Sequence, residues 1–271
     1  MANYNSKLVD DLKQLLNMLK LHVCHEQFQS IAEQCEKEKL SYVEFLHELM
    51  LRENEQRQQK RIASLVKNAQ LPRNKLLSDF DMTRIPGLAP SQVLNLAAGD
   101  FIDRYGNVLI FGNPGTGKSH LGIALAREWC LLGRKVRFFT AANLVQLLLQ
   151  AKAQLRLSQF IKQLDRFDVI IIDDISYVPF EKSETDVLFT LLSDRYEMRS
   201  VLITSNLPFS QWDNIFKDPM TTNAAIDRLV HHATILELNT SSYRAECAKN
   251  KSNKIAKRFR KDSSKEEVSM E

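Results

Sequence analysis

Eight residues constrain this chain more than any other stretch: Gly112-Asn113-Pro114-Gly115-Thr116-Gly117-Lys118-Ser119. They follow the apolar run Val108-Leu109-Ile110-Phe111 directly and precede a helical pattern. Strand, glycine loop, Lys-Ser and helix, in that order, make a phosphate-binding P-loop. Glycine reaches backbone conformations that turn successive N–H groups inward around a phosphate chain. Lys118 is then placed to reach the outer phosphates, and the Ser119 hydroxyl to ligate Mg²⁺. The helix that opens there adds the positive end of its dipole, and His120 in its first turn completes the candidate nucleotide contacts. A chain built around this device is an α/β protein, because the loop works only between a strand and the helix that follows it.

The carboxylates that such a loop needs come later. Val169-Ile170-Ile171-Ile172-Asp173-Asp174 reads as a buried strand whose acids emerge at its C-terminal end, where ligands of parallel sheets bind. Asp173 is the candidate Mg²⁺ carboxylate, and Asp174 the candidate that polarises an attacking water. A strand-end acid pair standing alone is also a common turn cap; downstream of a P-loop it reads as a Walker B motif. Val136–Phe139 gives a complete strand between the two motifs. Val201-Leu202-Ile203-Thr204-Ser205-Asn206 gives another after them, which ends in polar residues. Asn206 sits either as a turn residue before Pro208 or as an amide sensing the γ-phosphate. Thr234–Leu238 is the fifth strand. Near-continuous apolar strands separated by helices predict a five-stranded parallel sheet covered on both faces.

Ala225-Ile226-Asp227-Arg228-Leu229-Val230 reads as a helix end. Arg228 there either pairs with a local acid such as Asp227 or projects into a neighbouring copy's phosphate site, where an arginine in trans stabilises charge on the transferring phosphoryl group. His231 and His232 follow, and read as structural residues at the helix C-terminus.

Residues 1–75 read as a small all-α domain. Leu8, Leu12, Leu15, Leu16 and Leu19 keep one apolar face, and Phe28, Ile31 and Ala32 mark a second helix. Ser41-Tyr42-Val43-Glu44 is a capping box that opens a long helix, with Phe45, Leu46, Leu49 and Met50 turned inward and an end expected before Pro72. These stripes are expected to form a core between helices, with a partner-binding face as the alternative. From Gln56 to Ser78 the chain carries Arg57, Lys60, Arg61, Lys67, Arg73 and Lys75 and no acid. That run is either a solvated helix face or a contact surface for a phosphate backbone. Pro86, Gly87 and Pro90 read as a loop-rich linker into an ATPase domain over 76–260. A basic helix over 242–258 closes that domain, and 261–271 reads as a disordered tail.

The net charge of +4 over 271 residues does not by itself imply nucleic acid. The four cysteines have no metal-ligand spacing, and neither a signal peptide nor a membrane-spanning run is visible; the expected location is the cytoplasm.

Together, Gly112–Ser119, Ile170–Ile175, Thr204-Ser205-Asn206-Leu207-Pro208-Phe209-Ser210-Gln211-Trp212 and Asp227–His232 resemble the IstB-like transposition-helper ATPases, AAA+ proteins close to the DnaC helicase loaders. Leu40–Leu46 and Asp79-Phe80-Asp81 extend the resemblance over most of the chain. It implies ATP and Mg²⁺ as ligands of Gly112, Asn113, Pro114, Gly115, Thr116, Gly117, Lys118, Ser119, His120 and Asp173. It makes Asp174, Asn206 and Arg228 catalytic residues, with Asn206 as sensor 1 and Arg228 as the arginine finger. Ser242-Tyr243-Arg244 resembles sensor 2, which places Arg244 on the nucleotide. Many such proteins carry Asp-Glu where this chain has Asp173-Asp174, and the shorter side chain bears on hydrolysis more than on binding.

The expected function is that of an ATPase that forms homo-oligomers on double-stranded DNA with ATP at subunit interfaces, remodels the DNA and recruits a transposase. A replicative helicase loader of the DnaC kind is the alternative. The expected DNA contacts are Arg57, Lys60, Arg61 and Lys67, with Lys152 and Arg156 after the second strand, and the C-terminal basic helix as a further candidate.

Overall fold

The computed structural model describes residues 6–72, 75–176, 181–216 and 218–243. The chain divides into two compact units, Met1–Ser64 and Leu65–Glu271.

The first unit contains α1 (Ser6–Met18), α2 (His22–Glu38) and the greater part of α3 (Tyr42–Asn68). The capping box is present: Ser41 N donates to Glu44 Oε2 at 2.7 Å, and Glu44 N donates to Ser41 Oγ at 3.3 Å. Leu16, Cys24, Phe28, Ile31, Cys35 and Leu49 form the core. The start of α2 is satisfied from a distance. Leu21 at its N-cap offers no side-chain acceptor. Instead Glu53 of α3, only 4% exposed, accepts from Val23 N at 2.8 Å and Cys24 N at 3.3 Å. Its other oxygen accepts from Arg57 Nε at 2.8 Å. Burial pushes the Glu53 carboxyl up, but Arg57 and the two amides outweigh burial and hold it below its ordinary value.

The leucine stripe behaves differently from expectation. Leu16 and Leu49 are buried, whereas Leu8, Leu15, Leu19 and Leu46 are 63%, 55%, 66% and 55% exposed. Three helices enclosing so small a core cover only one side of α1, and periodicity reports that a face is apolar, not that something lies on it.

The second unit continues from the last turn of α3 through α4 (Pro90–Ala98), α5 (Asp100–Asp103), β1 (Asn107–Gly112), α6 (Lys118–Leu131), β2 (Val136–Thr140), α7 (Ala141–Ala153), α8 (Leu157–Leu164), β3 (Val169–Asp173), α9 (Lys182–Arg195), β4 (Ser200–Ser205), α10 (Asp213–Phe216), α11 (Pro219–Val230) and β5 (Ala233–Leu238). All strand pairs are parallel, in the order β2-β3-β4-β1-β5. The sheet's two faces follow the strand period of two. Leu109, Phe111, Ile170, Ile172, Val201 and Ile203 face the cluster formed with α7, α8, α9 and α11. Val108, Ile110, Val169, Ile171 and Leu202 face the cluster formed with α4 and α6. Each Leu or Ile so buried contributes about 1.5–3 kcal/mol, so these two layers hold the sheet rigid beneath its loops.

Two segments are better packed than their sequence suggests. The stretch read as a linker buries Ile85 and Leu88, the helix that follows buries Val93 and Leu96, and Trp129 Nε1 donates to Leu96 O at 2.7 Å. Pro90 opens α4 at its first turn, where a missing N–H costs nothing. Beyond Asn68, where α3 ends, Ala69 is fully buried and its carbonyl accepts from Phe138 N at 2.9 Å. Cys24, Cys35 and Cys130 are free and buried. Arg73, Arg244, Cys247, most of the expected C-terminal helix and the tail lie outside the described residues. No helix among the described residues is long and apolar enough to cross a membrane.

Candidate nucleotide site

The loop after β1 takes the shape its glycines allow. Gly112, Gly115 and Gly117 have φ of +149°, +83° and +104°. A side chain at Gly112 would put its Cβ 2.6 Å from Leu238 O, and one at Gly115 would collide with Ser242 Oγ. The backbone therefore lies closely under the end of β5 and residues 242–243, and Tyr243 N donates to Gly115 O at 3.0 Å. Thr116 Oγ1 donates to Asn113 O at 2.9 Å and braces the turn. Asn113 and Pro114 are exposed, and Ser119 is half-buried in the first turn of α6. No side chain caps that helix, whose N-cap is Gly117, so its N-terminal dipole end faces the loop. Lys118 is 6% exposed, and its Nζ donates to Gly112 O at 2.8 Å and Asn113 O at 3.0 Å. His120 engages residues that precede β1: its Nε2 lies 3.0 Å from Leu76 O, and its ring meets Phe80 edge-on at 5.5 Å.

The acids are fixed by β4. The β3–β4 register pairs Ile172 with Ile203, and β4 in turn pairs with β1. This places the polar end of β4 between the strand that carries the glycine loop and the strand that carries the acids. Thr204, 1% exposed, donates from Oγ1 to Asp173 Oδ1 at 2.7 Å and accepts from Asp174 N at 2.8 Å. Asp174 has φ +64°, a left-handed conformation that Asp and Asn adopt more readily than other side chains. Its Oδ1 accepts from Asn206 Nδ2 at 3.0 Å, while Asn206 N donates to Ser176 Oγ at 2.8 Å. The structure thus joins Asp173 and Asp174 through Thr204, to which the sequence reading gave no role, and ties Asn206 directly to Asp174. The available signal was a hydroxyl in the polar end, Thr204-Ser205-Asn206, of the strand that follows the acids in sequence.

Arg228 stands apart. Its guanidinium donates to Ala224 O at 3.2 Å and lies 5.0 Å from the Phe189 ring centre. Among the described residues it makes no ion pair, with Asp227 or otherwise, and no hydrogen bond to the loop, Asp173, Asp174 or Asn206. Of the expected DNA contacts, Lys60, Arg61 and Lys67 are exposed on α3, and Lys152 and Arg156 are exposed around Leu155, itself 95% exposed. Arg57 is engaged within the first unit, by Glu53 and by Lys20 O at 2.7 Å.

The sequence model of the IstB-like ATP-binding proteins matches residues 14–253. The chain belongs to the IstB-like ATP-binding family. It is 42% identical over 235 residues to an insertion sequence protein of Sinorhizobium fredii described as ATP-binding, covering 86% of this chain and 79% of that one. It is 38% identical over 234 residues to an insertion sequence IS21 protein of Pseudomonas aeruginosa described in the same way, covering 86% and 88%. The fold is similar to that of a DNA replication initiation factor (TM-score 0.54, 19% identity, 68% of this chain and 56% of that one). It is also similar to AMPPCP-bound DnaA from Aquifex aeolicus (TM-score 0.52, 19% identity, 62% and 51%). This IstB-like chain is therefore a P-loop ATPase, and the expected α/β fold with preceding helices is the one observed.

Proposed function

We propose that the chain binds ATP with Mg²⁺ where two copies meet, assembles on double-stranded DNA, remodels it and brings a transposase to it, hydrolysis then releasing the assembly. The observation that carries this reading is the separation of the site's parts. Loop, acids and Asn206 share the C-terminal end of the sheet's central strands, while Arg228 engages none of them among the described residues. An arginine left off its own site is suited to another copy's.

The residues fit the ligand: the loop takes positive-φ turns that only glycine adopts without strain, pressed against Leu238, Ser242 and Phe80, and the donor set is one hydroxyl and one carboxylate oxygen beside an ammonium. Ser119 and Asp173 would hold Mg²⁺, which when bound neutralises phosphate charge. Lys118 would exchange two loop carbonyls for phosphate oxygens. Asp174 would orient a water, and Asn206, now on Asp174, would turn to the γ-phosphate. Arg244 is assigned the sensor 2 role. Lys60 and Arg61 in the first unit, and separately Lys67, Lys152 and Arg156 in the second, would contact phosphates of the DNA, giving weak sequence preference. Arg57 would first have to leave Glu53, so we do not assign it a phosphate.

Mixing tests the interface. Arg228→Ala alone should keep ATP binding and lose hydrolysis by on the order of 10³-fold. Asp174→Asn alone should also be inactive. Mixed together they should regain part of the activity, because some interfaces then combine an intact Asp174 with an intact Arg228. No recovery at any mixing ratio would make Arg228 a residue of its own chain's fold.

A further inference from the structure

The structure assigns a second ligand site at the far ends of α9 and α11: we propose that Glu197, His231 and His232 bind one divalent transition-metal ion of the zinc class. Helix α9 ends at Arg195 and α11 at Val230. Just beyond those ends the three side chains converge, with one ligand atom from each lying within 4.8 Å of the others. Glu197 Oε1 is 3.7 Å from His231 Nδ1 and 3.6 Å from His232 Nε2. Donors around a tetrahedral ion with bonds of about 2.0–2.2 Å stand roughly 3.3–3.6 Å apart. The Glu197 oxygen thus stands within a few tenths of an ångström of the spacing an ion requires from each histidine nitrogen, and all three ligand atoms lie within 4.8 Å of one another before any ion draws them in.

Three further observations favour a cation of this class here. Two imidazoles and one carboxylate select zinc, cobalt, nickel or copper over magnesium or calcium, which prefer all-oxygen shells. Two helix C-termini meet at the cluster, and their dipoles carry partial negative charge there. The side chains are about half exposed (53% for Glu197, 53% for His231, 48% for His232), so an ion enters without opening the fold. Glu197 is held in a left-handed turn at φ +56°, which fixes where its carboxylate begins. The Tyr196 hydroxyl, 2.7 Å from His231 Nδ1, occupies the position that the ion would take on that nitrogen. Three protein donors leave a fourth position for water. An ion held here would tie α9, which carries Phe189, to α11, which carries Arg228 on that ring. The site is distinct from the nucleotide loop and does not depend on the reading of that loop.

The test is titration of the full chain with CoCl₂, read by the visible absorption of tetrahedral cobalt, with ZnCl₂ as competitor. The wild-type chain should take up one ion in the micromolar range and release it to zinc. Glu197→Gln and His232→Gln, both at exposed positions that leave the fold intact by circular dichroism, should each weaken binding by about 10–100-fold. Zinc at a hundredfold excess over its Kd should raise the wild-type Tm by about 5–10 °C and the variants' much less. A wild-type chain that shows no saturable cobalt band, or variants that bind as tightly as wild type, would overturn the assignment.

Discussion

Replacing Thr204 by Val keeps the shape of a buried strand residue and deletes a hydroxyl that serves two acids at once. The donor to Asp173 is lost, a hydrogen bond to a carboxylate worth roughly 1.5–3 kcal/mol. The acceptor for Asp174 N is lost as well, and leaving a backbone N–H unmatched costs about 1–3 kcal/mol. The two terms share one atom and overlap, so a net loss of about 2–4 kcal/mol is expected, or about 5–15 °C in Tm for a unit of this size. The sharper consequence is catalytic. Asp174 sits in a left-handed turn held by that hydroxyl on one side and Asn206 on the other. Once released, its carboxylate moves by a distance that costs about 10–100-fold in kcat, while ATP affinity, set by the glycine loop, stays within about threefold. Phosphate release against ATP concentration gives kcat, and a fluorescent ATP analogue gives the Kd. Thr204→Ser restores the hydroxyl and should recover most of kcat even where it remains less stable. If Thr204→Val loses stability but hydrolyses at the wild-type rate, Thr204 is a core residue and its bonds to the acids are incidental.

Two further predictions concern the first unit. Lys60→Ala and Arg61→Ala should each weaken duplex binding across unrelated sequences and reduce the slope of log K against log salt by about 1; an unchanged slope would leave them as surface charge. The Glu53 carboxyl is held below its ordinary 4.5, so its stabilising contribution is complete above that pH and fades as the pH falls through the lower, folded value. Hydrogen exchange at the Val23 and Cys24 amides should therefore accelerate on acidification below about pH 4.5 in the wild type beyond the intrinsic trend, and Glu53→Gln should flatten that dependence. An acid profile shared by wild type and variant would place the acid sensitivity elsewhere.

The sheet was legible because its central strands β1, β3 and β4 are buried on both faces and read as near-continuous apolar runs, while the edge strands β2 and β5 keep mostly apolar residues around Arg137 and Glu237; each of the five apolar runs lies inside an observed strand and falls short of its ends by no more than a residue or two. The glycine loop and the acid pair were legible because backbone turns and strand-end carboxylates depend on local sequence. What escaped notice depends on neighbours that are distant in sequence. Thr204 gains its role from strand order, which no local pattern carries. Glu53 reads as one more acid on a polar helix, yet it caps α2 from another element. The stretch around Pro86, Gly87 and Pro90 looks like a linker because those residues punctuate it, although Ile85 and Leu88 within it are core. The exposed leucines of α1 show the converse, since an apolar face specifies no partner.

The most direct measurement is electron microscopy of the chain on duplex DNA, with and without ATP, for the wild type and for Lys118→Ala. Ordered multi-copy assemblies should form on DNA only with ATP, and only for the wild type, with nucleotide density between copies against residues 112–119 and Arg228 of the adjacent copy. Assemblies that form equally without ATP or with Lys118→Ala, or copies that remain single on DNA whatever nucleotide is supplied, would contradict the account.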